Sequence, residues 1–371
     1  MIKQSIYSLT MFLVAVCLIY ATALAATIKA PLERPAIMSL GAAHSVLLDI
    51  TRAGNRLVAV GERGIVVLSD DAGHTWRQAN IPMSVSLTAV EFPTAKQGWI
   101  VGHSGVVLHT QDGGENWALQ LDGVVAARLA LDAAKANVAD VGLKDTVASR
   151  QLREAKRLVN DGADKPFLDL HFTNDKEGFI IGAYGLMFRT VDGGETWQPW
   201  MDHVDNPRGM NLYDIQAVGD ILYIVGEQGL AMKSTDGGDS FARIKTPYEG
   251  TYFVAAAGSS GEIVVAGLRG NAYFSADQGI TFTQVNVPIP VSFSATTTLE
   301  DGTLLFANQA GELLASRDGG RTLRILDTPR LPPVAAMEYL GDGTLFTVGF
   351  GGVIPVPLSG WAPTAKIGES K

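Results

Sequence analysis

Gly182-Ala183-Tyr184-Gly185-Leu186-Met187-Phe188-Arg189-Thr190-Val191-Asp192-Gly193-Gly194-Glu195-Thr196-Trp197 is the stretch whose reading decides the fold. A glycine-bracketed turn leads into a short apolar strand. A Ser/Thr-x-Asp-x-Gly box ending in an aromatic follows. The same pattern recurs along the chain, with turns at Gly61 to Gly64, Gly102 to Gly105, Gly226 to Gly229, Gly267 to Gly270, Asn308 to Gly311 and Gly349 to Gly352. All but the last turn lead into a box. The second glycines stand at 64, 105, 185, 229, 270, 311 and 352, so the unit is 41 residues long wherever nothing is inserted. A unit of that length holds four short strands, which is one propeller blade. Seven units predict an all-β, seven-bladed β-propeller with a helical hairpin insertion between blades 2 and 3.

The box residues have structural work to do. The carboxylates of Asp71, Asp112, Asp192, Asp236, Asp277 and Asp318 are placed to accept backbone N–H bonds within a hairpin turn. Six similar copies cannot all be one catalytic centre. The closing aromatic is expected to pack between neighbouring blades. The innermost strands, such as Phe167 to Phe172 and Leu212 to Ala217, are rich in β-branched, aromatic or small residues, which suits crowding at an axis. The last unit has no box, and the segment Thr27 to Met38 precedes the first inner strand. Pairing of that segment onto the last blade is the expected closure, since an open sheet edge is a liability.

Outward from the repeats, the N-terminus sets the compartment. Lys3 precedes an apolar run from about Leu9 to Ala26 that ends in Ala23-Leu24-Ala25, which reads as a signal peptide over residues 1–25. A retained membrane anchor is the alternative. The domain boundaries expected are 26–361 for the propeller, with 123–165 as the helical insertion, and 362–371 for a C-terminal tail. The chain of 371 residues has a net charge of −9 and one cysteine. The charge argues against a nucleic-acid partner, and the single cysteine against a disulfide framework or zinc cluster. Six scattered histidines show no ligand spacing, so no metal or cofactor is expected.

Between Asp122 and Pro166 the pattern turns helical. Ala148, Leu152, Ala155 and Val159 recur at helical spacing, Leu129, Ala133 and Ala136 suggest a weaker first helix, and Gly142 separates the two. By strand alternation, this connection shares a face with the glycine-bracketed turns, opposite the boxes. The turns present Glu62, Arg63, His103, Tyr184, Glu227, Gln228, Arg269, Gln309 and Phe350, a mixture of charge, amide and aromatic suited to a protein-binding rim.

The repeat resembles that of the photosystem II assembly and stability factor family, most closely at Gly102 to Trp117 and Gly182 to Trp197, over residues 40–355. The resemblance implies an exported or lumenal seven-bladed propeller. It also implies a non-catalytic role: holding newly made membrane proteins during assembly, as a monomer and in the periplasm or an equivalent lumen. The helical insertion departs from the compact pattern expected of that family. Similar boxes occur in sialidases and other glycosidases, so a glycan-binding or glycan-cleaving propeller is the alternative. For that reading the best pair of carboxylates is Asp169 and Asp214, at matching positions of consecutive inner strands.

Overall fold

The computed structural model describes residues 29–258 and 261–358. The expected signal peptide and the tail 362–371 lie outside these residues. Seven antiparallel sheets follow one another along the chain, six of four strands and a last one of three. Blade 1 is typical, with strands Leu47–Ala53, Arg56–Gly61, Val66–Ser69 and Arg77–Gln78 paired in sequence order. The chain is a seven-bladed propeller.

There is no single core. Seven apolar clusters lie between consecutive blades, because alternate residues of a strand face opposite neighbours. Leu57 and Ala59 pack with Phe346 and Val348 of blade 7. Val58 and Val60 pack with Val90 and Ile100 of blade 2. The box aromatics serve these seams as expected. Trp76 meets Phe346 edge-on at 6.5 Å, and Phe241 meets Phe179 of the preceding blade at 5.8 Å.

Closure departs from expectation. The last blade, Val334–Tyr339, Thr344–Gly349 and Gly352–Pro357, gains no fourth strand among the described residues. Of the segment expected to supply it, Thr27 and Ile28 lie outside the described residues, and the remainder runs along blade 1 instead. The Ala36 N–H donates to the Ile81 carbonyl at 3.0 Å, and the Ser84 N–H to the Pro31 carbonyl at 2.8 Å. Ala36 is buried in the seam between blades 1 and 2. Proline explains the difference. Pro355 and Pro357 occupy the edge strand and Pro31 and Pro35 the would-be partner, and none has an N–H for a ladder. The ring closes by side-chain packing, with the turn Ala42–His44 seated against the last strand.

The insertion forms two helices, α1 (Gly123–Val141) and α2 (Thr146–Asp161). Each begins at an aspartate: the Asp122 carboxylate accepts from the Val124 and Val125 N–H groups, and Asp145 from Val147 and Ala148. Gly142 ends α1 at a φ of 86°. The buried stripe of α1 is Ala126, Ala127, Ala130 and Ala134. Ala133 and Ala136, expected inside, are exposed, and Leu129 is only half-buried. In α2, Ala148 and Ala155 are buried, while Val159 is exposed and Leu158 takes its place. An alanine-rich helix offers several apolar stripes, and packing on the ring and on α2 selects one of them.

Candidate functional site

The Gly-x-x-Gly turns crowd one face of the ring. In six of the seven, the first residue is a glycine that lies against the start of its own inner strand, and Asn308 takes its place in the other. A Cβ on Gly61 would stand 2.2 Å from the Val46 carbonyl oxygen, so only glycine fits. The third residue is forced into the left-handed region: Arg63 has φ 57°, Ser104 60°, Tyr184 58°, Gln228 53° and Arg269 57°. For a residue with a Cβ this conformation costs about 1–2 kcal/mol. The box face carries two such positions, Ala72 at φ 55° and Gln278 at 58°, against five on the turn face.

Of the nine side chains expected on this face, eight are exposed. Phe350 is 70% and Tyr184 59% accessible, large values for aromatic rings. Glu227 is half-buried, and its carboxylate accepts from the Asn211 backbone and side-chain amides at 3.0 and 3.2 Å. Its visible role is to hold the loop. Gln228 accepts a hydrogen bond from Arg208. Ser104 is a further left-handed position, and its place in the Gly102 to Gly105 turn was signal enough to find it. Ile37, Met38 and Leu40 add exposed apolar surface, and Ile37 shares a depression with Glu62 and Arg63.

The helical hairpin roots on this face. A Cβ on Gly105 of the blade 2 turn would stand 2.6 Å from the Gly123 Cα, so the two glycines let α1 leave directly from the turn. The hairpin then leans over the connection between blades 3 and 4, where Met201 packs on Ala130, Ala134 and Ala155. Lys165, at its exit, pairs with Asp161 and Asp164 and lies 4.9 Å from the Tyr184 ring centre. Asn137 donates to Gln151 at 3.0 Å and ties the two helices together.

On the opposite face, the boxes repeat one set of bonds. The Asp236 carboxylate accepts from the Ser234 hydroxyl at 2.6 Å, the Ser240 N–H at 3.0 Å and the Ser240 hydroxyl at 2.6 Å. Asp71, Asp112, Asp192, Asp277 and Asp318 do the same, with Asn116 in place of the hydroxyl residue at Asp112. The Ser234 and Ser240 bonds hold Asp236 ionised, with its pKa lowered to about 2.

Along the axis, inner-strand acids link blade to blade. Asp49 accepts from the Val90 N–H at 2.7 Å, Glu91 from Phe172 at 2.8 Å, Asp169 from Ile215 at 2.8 Å and Asp214 from Ala255 at 2.5 Å. Burial raises Asp49 to about 7 and Asp214 to about 6. Burial, then the Asp214 charge, raises Asp169 well above the usual carboxylate range. Asp169 and Asp214 do approach each other, as the sequence suggested. Each, however, spends an oxygen on the neighbouring blade's backbone. Burial tends to lower His171, but the Glu91 carboxylate 3.3 Å away outweighs it and raises the imidazole.

Comparison with known proteins fixes the family. The family model described as photosynthesis system II assembly factor YCF48 matches residues 37–140 and 149–303, well over half of the chain. The chain belongs to that family. The photosystem II assembly lipoprotein Ycf48 of Synechococcus sp. (strain CC9902) is 34% identical over 97 residues, 25% of this chain and 29% of that protein. The chloroplastic photosystem II stability/assembly factor HCF136 of Arabidopsis thaliana is 33% identical over 81 residues, 19% and 20% of the two chains. The chain thus matches less than half the length of these curated relatives. Among solved structures, one titled YCF48 bound to D1 peptide superposes with a TM-score of 0.62 at 18% identity, covering 85% of this chain and 94% of the other. YCF48 from Cyanidioschyzon merolae gives 0.58 at 17%, over 85% and 97%. These structures share the fold of this YCF48-family chain. No helix among its described residues is long and apolar enough to cross a membrane.

Proposed function

We propose that this YCF48-family propeller is a non-catalytic assembly or stability factor that holds a membrane-protein client on its turn face. The observation that carries the reading is the contrast of turns. Five of them place a non-glycine side chain in a left-handed conformation on the face where the helical hairpin is rooted, against two, Ala72 and Gln278, among the boxes. Family membership supports it, as does the relative whose title names a bound D1 peptide. The binding residues proposed are Arg63, His103, Tyr184, Gln228, Arg269, Gln309 and Phe350, with Glu62 at the rim and Glu227 as the support of its loop. The protein acts on the exported side of a membrane, in a periplasm or lumen equivalent, as a monomer without metal or cofactor.

The glycan-cleaving alternative is disfavoured by the axial acids. A glycosidase needs two carboxyls free to flank a sugar bond. Asp214 is buried and Asp169 half-buried, and both are bonded to the next blades instead. The test is co-purification of the tagged protein from gently solubilised membranes of its own host, with partners identified by mass spectrometry. Recovery of a membrane-protein complex is the expected result. Recovery of none, together with glycan hydrolysis lost in Asp169→Asn, would replace this reading by the alternative.

A further inference from the structure

The hairpin does not lie flat on the ring. Between its inner side and the connection of blades 3 and 4 is a cleft of about 300 Å³. Ala134, Ala155 and Leu158 form one wall, Met201 and Val204 the other, and Leu186 the floor. That volume is at the lower limit for small-molecule sites, and it suits one or two side chains better than a cofactor. The walls are already fixed. The Asn206 amide donates to the Met210 carbonyl at 2.8 Å and accepts from the Met210 N–H at 3.0 Å, so the connection holds its shape without a ligand.

The charged groups at the cleft are unbalanced. Glu154, Asp202 and Asp205 line it, against Arg150 as the one cation among its lining residues. Arg150 is turned toward Glu154, whose carboxylate oxygen stands 3.7 Å from Nε. That Nε is buried and has no hydrogen-bond partner. Asp202 and Asp205 stand exposed on the opposite rim. Asp202 has only the His203 imidazole 3.6 Å away, a weak partner unless protonated, so the aspartate pair can still attract a cation, and the loosely held guanidinium can turn to a carbonyl oxygen.

We propose that this cleft takes an extended peptide segment of the client, with one apolar side chain seated between hairpin and connection and a neighbouring Lys or Arg on Asp202 and Asp205. The proposal rests on the client-holding reading above and names the chemistry of the segment held. The Arg150 guanidinium accepts a place beside the segment's backbone, donating to a carbonyl.

The experiment uses the full chain and a fluorescein-labelled nonapeptide, Gly-Ser-Lys-Lys-Leu-Lys-Lys-Ser-Gly, followed by anisotropy at physiological ionic strength. Control peptides carry Ser for Leu, or Glu for every Lys. Two variants change exposed positions and leave the fold alone: Ala133→Trp, which fills the mouth, and Asp202→Lys with Asp205→Lys. The lysine-leucine peptide is expected to bind, with affinity reduced about tenfold or more by each control and each variant. Absence of binding, equal binding of the glutamate peptide, or unchanged binding to both variants overturns the proposal. The two readings fail separately. If both variants still co-purify the client in full, the cleft is not its seat while the client-holding role stands. If the peptide behaves as expected but no membrane client is recovered, the role fails and the peptide site remains.

Discussion

On the box face, six aspartates make the same bonds in six blades, each tying a hydroxyl and a backbone N–H of its own hairpin. On the turn face, no two turns carry the same pair of residues: Glu62-Arg63, His103-Ser104, Ala183-Tyr184, Glu227-Gln228, Leu268-Arg269, Gln309-Ala310 and Phe350-Gly351. Both faces arise from one repeat. Where every copy needs the same bond to close a hairpin, the residues stay alike. Where the turn needs only its glycines, the positions between them are open to recognition. The hairpin is rooted on the second kind of face, which is why that face, rather than the more conspicuous box face, is assigned to the partner.

The largest expected effect separates hairpin from ring. Replacing residues 124–163 by a short Gly-Ser linker should abolish client capture in co-purification. The melting temperature should fall only modestly, because of the buried residues between blades 2 and 3 only Ala126 comes from the hairpin. Full capture by the shortened chain would erase the distinction between the faces.

Next comes a change confined to the box face. A Cβ on Gly238, at φ 87°, would stand 2.1 Å from the Phe179 ring. Gly238→Ala should therefore cost about 3 kcal/mol by overpacking and backbone strain, measured by denaturant unfolding. Gly219→Ala has the same sign of φ but open space around it, so it should cost about 1 kcal/mol. Neither should change capture per folded molecule. Equal costs would show that packing against the preceding blade is not what fixes the box.

The axial acids give a pH dependence opposite to that of the boxes. Asp49 and Asp214 are raised in the folded state to about 7 and 6 from an ordinary 3.8. The folded chain then binds more protons than the unfolded one between these values, so stability is full near pH 4 and is lost as pH rises through 6 to 7. The boxes run the other way. Asp71, lowered to about 2 by its Thr75 bonds, and Asp236, lowered likewise, contribute above pH 4 and lose that contribution as pH falls toward 2. The melting temperature should peak near pH 4 to 5. Asp49→Asn should raise it at pH 8 and leave it little changed at pH 4. A melting temperature flat from pH 5 to 8 in the unmodified protein would contradict the burial of these acids.

The smallest effect is expected at single turns. Arg63→Glu with Arg269→Glu should weaken capture several-fold and leave the melting temperature within a degree or two, since both side chains are exposed. A large thermal shift would mean that these arginines support the ring rather than a partner.

Much of this was legible in the sequence, because the repeat carries its own physics. Glycines that admit only close backbone approach, aspartates that lock hairpins and aromatics that fill seams all recur in register. What was not legible depends on how separate pieces dock. The closing edge looked open until Pro355 and Pro357 were seen to face it, and the N-terminal segment went to Ile81 instead. The stripe used by α1 could not be chosen among its alanines without the ring beneath it. Glu227 read as a free rim charge because its partner Asn211 lies 16 positions away. The cleft left one trace, the three extra residues between the blade 3 and blade 4 turns, in the connection that holds Asp202 and Asp205.

The most direct measurement is face-resolved photo-crosslinking in intact host membranes. A benzophenone amino acid is placed at Tyr184 or Phe350 on the turn face, and at Ile280 on the box face, where the side chain is 75% exposed. The account predicts crosslinks to one membrane protein from Tyr184 and Phe350 and none from Ile280. Crosslinks to a membrane protein from Ile280 alone would place the partner on the wrong face and contradict it.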